Sequence, residues 1–213
     1  MPLSSKATAA QALIDVLQQW QRQTEKKVKV VRTDGGTEFK GAFESYCKDE
    51  GIIHQTSVRY TPQHNARVER NQRTALDMAR CMMQEAKMPV AMWAEALTTA
   101  HYLRNVTVNK VVMATPYELF HSKKPDVSLL KVFGSLAHVH VPKEQRSKFD
   151  ARSVHGVFVG YGQNTKGWRV LTRQGGVWHA VTSRDVVFDE NSLGMHVMHG
   201  APVATEASEY ICR

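Results

Sequence analysis

VKVVRTDGG, residues 28–36, sets the fold class. Val28, Val30 and Val31 form a short β-branched run that ends at Arg32, and Thr33-Asp34-Gly35-Gly36 is a sharp turn signal. Upstream, Ala10, Leu13, Leu17 and Trp20 recur at helical spacing behind two capping candidates, Ser5 and Thr8. Downstream, Phe43, Tyr46 and Cys47 predict a second helix stopped by Gly51, followed by a strand over 52–58. The order helix, strand, helix, strand is that of an α/β fold.

Farther along, RYTPQHNAR (59–67) has no period and reads as a loop. A long helix is expected from Val68, with Val68, Gln72, Leu76, Ala79 and Met83 on one stripe, ending near Lys87 before Pro89. A further helix is expected over 91–104, with Trp93, Leu97 and Ala100 on one face. Thr115-Pro116 opens a short one through Phe120, with threonine as cap and proline at the first position. After Asp126 the pattern changes to five short β-rich runs, at 136–141, 156–161, 168–171, 177–181 and 184–188. Such spacing predicts a small sandwich or barrel. The expected division is a first domain over 1–122, a small β domain over 131–190 and a loose tail over 191–213.

The chain of 213 residues carries 28 Lys and Arg against 20 Asp and Glu, a formal charge of +8, which favours a polyanionic partner. Cys47, Cys81 and Cys212 are widely spaced and include no C-x-x-C pair, so neither a disulfide framework nor a structural zinc site is expected. No apolar run approaches the roughly 20 residues of a membrane helix, and the N-terminal residues lack a signal-peptide pattern. The expected protein is soluble and not secreted.

Two acids invite a chemical reading. Asp34 follows a strand and Glu69 opens a long helix. Ligands collect beyond the carboxyl ends of strands in α/β sheets, and Mg²⁺ takes a small number of carboxylate oxygens. The plainer alternatives are a turn aspartate bonding its own loop, and an exposed i, i+4 pair of Glu69 with Arg73. His138 and His140 share a strand face but make too few ligands for zinc, so they read as structural. Trp168 and Trp178 are either base-stacking rings or core residues, the second being favoured, and Met78, Met82, Met83 and Met88 read as core.

At these same positions RTDGGTEF (32–39) and YTPQHNARVER (60–70) resemble two motifs of the integrase core of copia-type LTR retrotransposon Pol polyproteins. GIIHQTSVRYTPQ, MWAEALTTAHYLRNV, TPYELF, VFGSLAHVHVP, VGYGQNTKGWRV and SRDVVFDE continue the resemblance in order over roughly residues 3–190. The resemblance implies a partial ribonuclease H-like core followed by a small barrel of Src-homology-3 type. It gives Asp34 and Glu69 the second and third positions of an Asp, Asp, Glu triad binding Mg²⁺ or Mn²⁺. The first aspartate and a zinc-binding region are expected upstream of residue 1, so the chain is expected to lack strand-transfer activity. Retrotransposon cDNA ends and target DNA are the implied partners, with Gln63, His64, Asn65, Arg67, Arg70 and Arg73 as DNA contacts, self-association possible in the family, and a nuclear site of action (otherwise cytoplasmic). The alternatives are a non-catalytic nucleic-acid-binding module and a degenerate transposon relic. Three details depart from the family: Gly35 stands for Asn, Ala66 for Gly, and the span from Asp34 to Glu69 is one residue short near Lys40–Ala42.

Overall fold

The computed structural model describes residues 5–57, 66–109, 112–162 and 165–195. The chain divides into two compact units, Met1–Arg73 and Thr74–Arg213.

In the first unit, α1 (Ala9–Thr24) is followed by β1 (Val30–Thr33), α2 (Ala42–Asp49) and β2 (Ile53–Thr56). The strands pair in parallel, Val30 opposite Ile53 through Thr33 opposite Thr56, so β1, α2 and β2 form one β-α-β crossover. Ala10, Ile14 and Leu17 of α1 meet Phe43 and Cys47 of α2 and Ile52, with Val28, Val31 and Phe39 packed alongside. The buried stripe of α1 therefore runs through Ile14. Trp20, expected on it, is 51% exposed. Burial pushes the Cys47 thiol up, with help from Glu44, so it stays protonated and inert. Helix α2 stops as Gly51 predicts: Gly51 has φ 66°, Gly51 N donates to Lys48 O and Ile52 N to Cys47 O, the paired bonds of a Schellman cap.

Helix α3 (Ala66–Glu85) begins two residues before its expected start and spans the division between the units. It ends in the same cap, Lys87 N donating to Gln84 O and Met88 N to Met83 O, with Lys87 itself at φ 51°. Its buried face is Ala75, Ala79 and, just beyond the helix, Ala86, with Met78, Met82 and Met83 partly buried beside them. The expected stripe holds in its later half, at Ala79 and Met83, and fails in its earlier half. Val68 and Leu76 are 60% and 41% exposed, and beside Leu76 the small Ala75 is buried instead.

The second unit continues with α4 (Trp93–Val106) and α5 (Pro116–His121), the latter capped by Thr115, whose Oγ1 accepts from Glu118 N at 3.0 Å. Then come β3 (Ser135–His140), β4 (Ser153–Tyr161), β5 (Trp168–Gln174), β6 (Val177–Ser183) and β7 (Val186–Leu193), antiparallel in the order β6-β5-β4-β3-β7. Gly175 and Gly176, at φ 58° and 89°, make the tight turn between β5 and β6. Ala79, Ala86, Met88, Met92, Ala96 and Ala100 share one core with Phe133, Val157, Val159, Leu171, Trp178 and Met195. The contact division consequently falls inside α3, whereas the change from helical to β patterning falls near residue 126: later α3 and α4 bury their small residues against the sheet. Thr99 of α4 donates to Val159 O at 2.8 Å, and Glu95 takes a two-pronged pair from Arg169 of β5. Trp178 and Met88 are buried in the core as expected, whereas Trp168 is only half-buried.

Candidate functional site

Asp34 stands one residue beyond the carboxyl end of β1, exposed to solvent. Parallel pairing carries β2 out at the same end, where Ser57 N donates to Thr33 O at 3.0 Å. The base of this end is braced. Thr33 Oγ1 donates to Asp34 O at 2.9 Å and lies 2.8 Å from His54 Nε2. The Thr33 hydroxyl and the His54 ring thus share a hydrogen bond across the strands. The His54 ring meets Phe43 edge-on at 5.1 Å, tying the brace to the core, and Arg32 donates to Gln55 Oε1 at 2.9 Å across the strands. Neither His54 nor Gln55 stood out in the sequence; only the parallel register places them beside Thr33 and Arg32.

Beyond the strand, Gly36 N donates to Asp34 Oδ1 at 3.3 Å, the local turn bond that an aspartate before glycines makes. The bond is long and occupies one lone pair. Gly35 has open space where a Cβ would sit, so the asparagine expected there fits the same turn. Gly41, at φ 76° in the shortened span, begins α2 in a conformation that costs other residues more.

Glu69 lies in the first turn of α3, exposed. A carboxylate there is favoured by the helix dipole. Among the described residues Glu69 forms no ion pair with Arg73; the α3 pair within 4.0 Å is Arg80 with Asp77, at 3.0 Å. Arg73 and Arg80 fall on the Glu69 face by helical spacing, and Arg70 sits about 100° around the helix. Arg70, Arg73 and Arg80 are exposed. Ala66 is helical in its backbone, a conformation alanine takes more readily than glycine. Gln63, His64 and Asn65, and the side chain of Arg67, lie outside the described residues. The first unit thus contains both acids on separate elements. Among the described residues no group of three or more His, Cys, Asp or Glu gathers to hold an ion.

Residues 135–198 match the family described as the retroviral polymerase SH3-like domain, a match that covers all five antiparallel strands. Over 180 residues the chain is 40% identical to the Retrovirus-related Pol polyprotein from transposon TNT 1-94 of Nicotiana tabacum, covering 81% of this chain and 13% of that protein. The chain is a homologue of copia-type Pol polyproteins. The polyprotein from transposon RE1 of Arabidopsis thaliana is 27% identical over 214 residues, 99% of this chain and 14% of that protein. This Pol homologue thus spans about one seventh of the length of these relatives. Among solved structures, the simian T-cell lymphotropic virus intasome in complex with PP2A regulatory subunit B56 gamma is similar over 87% of this chain and 65% of that one, at 16% identity and TM-score 0.45. The catalytic core domain of BIV integrase is similar over 57% of this chain and 74% of that one, at 24% identity and TM-score 0.41. In sequence order the Pol homologue has an α/β part and then a five-stranded antiparallel SH3-like sheet, the architecture its sequence predicts.

Proposed function

We propose that this chain supplies two of three carboxylates, Asp34 and Glu69, to a divalent-metal site for DNA strand transfer. The observation that carries this reading is the position of Asp34 at the carboxyl end of a parallel β-α-β unit, where such sheets gather ligands. Both acids are solvent-accessible hard oxygen donors, and Asp34 commits only one lone pair to Gly36 N. That donor set fits Mg²⁺ or Mn²⁺, which keep several waters and accept one or two protein carboxylates beside phosphate oxygens. When bound, the ions activate a 3′ hydroxyl and stabilise the leaving oxygen of the attacked phosphodiester. Asp34 and Glu69 would hold them there, and Arg70 and Arg73 would take flanking phosphates, fixing the DNA without reading its sequence. DNA ends and target DNA are the substrates in this reading, self-association completes the assembly, and the site of action is the nucleus.

A third carboxylate must come from residues outside these 213. The first unit supports that requirement: among the described residues its sheet has two strands, fewer than an independent sheet needs, and Val30 and Ile53 face solvent as neighbours at 46% and 60% exposure. The 213-residue chain alone is therefore expected to bind Mn²⁺ in the presence of DNA but to join no strands. Calorimetric titration with Mn²⁺ checks this. Asp34→Asn and Glu69→Gln should each weaken binding by about tenfold or more. Unchanged Mn²⁺ affinity in both variants would end the metal reading. The exposed arginines of α3 favour a second, non-catalytic reading as a nucleic-acid-binding module, which predicts log K falling linearly with log salt.

A further inference from the structure

Within the second unit, α4, α5, Gly162 and Thr165 to Gly167 border a cleft of about 660 Å³. Its volume suits a small organic group. The walls are aromatic: Tyr102 of α4, Tyr117 of α5, Tyr161 at the end of β4 and Trp168 at the start of β5. Lys166 and Arg184 complete the lining as its cations.

The rings are held before any ligand arrives. Tyr102 stacks on Tyr161 with centroids 3.9 Å apart and planes 22° apart. The Tyr161 hydroxyl accepts from Lys131 N at 3.2 Å. Trp168 Nε1 donates to Leu129 O at 2.9 Å, and its ring meets Phe188 edge-on at 5.3 Å. Tyr161 is buried beneath Tyr102 and backs the cleft, whereas Trp168, half-buried with its polar tip engaged, offers a ligand ring surface. Arg184 is also pre-set, since its Nε donates to Lys166 O at 2.6 Å while two Nη groups remain for an anion. No described residue of the lining is acidic. The carboxylates that act on these tyrosines are engaged elsewhere, Asp126 by Ser128 and Glu190 by Lys131 and Val132.

Aromatic walls with cations and no lining acid match a flat, π-bearing anion. We propose that this cleft is a subsite for one unpaired nucleotide of single-stranded nucleic acid, its base against the Tyr117 and Trp168 rings and its phosphate on Lys166 and Arg184. The inference rests on the nucleic-acid reading above and adds strandedness to it. A paired base cannot enter without leaving its stack, which costs a few kcal/mol, so the cleft prefers single strands and frayed ends to closed duplex.

The test is fluorescence anisotropy with the whole chain, using an oligothymidylate of about 12 nucleotides and a closed hairpin duplex of the same charge. Wild type is expected to bind the single strand more tightly and to show tryptophan quenching. Tyr117→Ala should weaken single-strand binding by about fivefold or more while duplex binding holds within about twofold; Tyr117→Phe should restore it. Lys166→Gln and Arg184→Gln, at exposed positions that tolerate change, should each lower the salt slope by about one. If nucleic acid binds but Tyr117→Ala, Lys166→Gln and Arg184→Gln all leave single-strand affinity unchanged, the cleft assignment is wrong and the nucleic-acid reading survives. If neither probe binds at low salt, the nucleic-acid reading itself falls. Saturable binding of an acidic proline-rich peptide that oligothymidylate does not displace would also overturn the assignment.

Discussion

Gly134→Ala tests whether the end of α3 is built into the SH3-like core. Gly134 precedes β3 at φ 83°, and a Cβ there would sit 2.2 Å from Ala86 Cβ and 3.2 Å from Ala86 Cα. Ala86 is fully buried, so neither atom can swing away. Nor can Gly134 slide, because its N–H donates to Phe158 O at 2.8 Å and its carbonyl accepts from Gly194 N at 2.8 Å. Two costs add: about 1–2 kcal/mol for a side chain in the left-handed region, and about 1–3 kcal/mol for overpacking a closed core. The expected loss is about 2–5 kcal/mol, a large share of the 5–15 kcal/mol typical of a domain. Gly175→Ala is the control, since Gly175 has φ 58° with nothing within 4 Å of its Cβ position and should show the backbone cost alone. Urea unfolding followed by tryptophan fluorescence measures both. Adding Ala86→Gly should recover at least about 1 kcal/mol in a double-mutant cycle. If Gly134→Ala costs no more than Gly175→Ala, the proposed contact between the α3 terminus and β3 is not made.

Other perturbations follow from the same packing. Lys87→Gly should stabilise the chain by about 0.5–1 kcal/mol, read as a higher urea midpoint, because Lys87 holds φ 51° where its counterpart Gly51 pays no Cβ penalty. Arg169→Met should cost about 1–3 kcal/mol, since it strands Glu95 with its side chain only 23% exposed; Glu95→Leu added to it should restore part of the loss. Acidification should destabilise the fold. Asp126 is held below the ordinary carboxylate range by the Ser128 hydroxyl and N–H, Asp189 by the Ser192 side chain and Asn191 N, and Glu190 by Lys131 and Val132 N. A depressed folded pKa contributes stability that is complete above the unfolded value, near 4, and that disappears as pH falls through the folded value. Urea midpoints should therefore drop between about pH 5 and pH 2, and drop less in Glu190→Gln. Gly35→Asn should change stability by less than about 0.5 kcal/mol, in keeping with the open space at that turn.

How much of this was legible beforehand depended on whether the signal was local. Thr115-Pro116 and the Gly175-Gly176 turn act within four residues, and both appear where the sequence puts them. The five strands and the β1 terminus at Asp34 also rest on short runs and were readable. Helix faces were not. On α3 the apolar count favours Val68 and Leu76, but the core shared with the sheet is reached by Ala79 and, just past the helix, Ala86, where small side chains let backbones approach. Hydrophobicity scores size, so it places Ala79 and Met83 correctly and overrates Val68 and Leu76. The site divides likewise: Asp34 and Glu69 came from motif resemblance, whereas the Thr33–His54 brace and the Tyr102–Tyr161 stack arise from pairings across 21 and 59 residues that no local pattern encodes.

The turn bond at Asp34 bears on how the two readings of that residue relate. A structural aspartate and a metal-ligand aspartate are usually weighed as alternatives, yet here one arrangement serves both. Gly36 N uses one lone pair of Oδ1 at 3.3 Å, enough to bias the side-chain rotamer and too weak to compete with a divalent ion. A carboxylate offers about four lone-pair sites, so the second oxygen stays available. Pre-setting the rotamer reduces the entropy lost when the ion binds, while the Thr33–His54 brace keeps the strand end from yielding under the added charge. Glu69, with no Arg73 pair to break, pays no such exchange. Removing the turn bond while keeping the carboxylate should therefore weaken Mn²⁺ binding modestly, and removing the carboxylate should weaken it far more. Gly36→Pro, which deletes the N–H, against Asp34→Asn separates the two contributions. Equal losses in both would mean that Asp34 acts through its turn and not as a ligand.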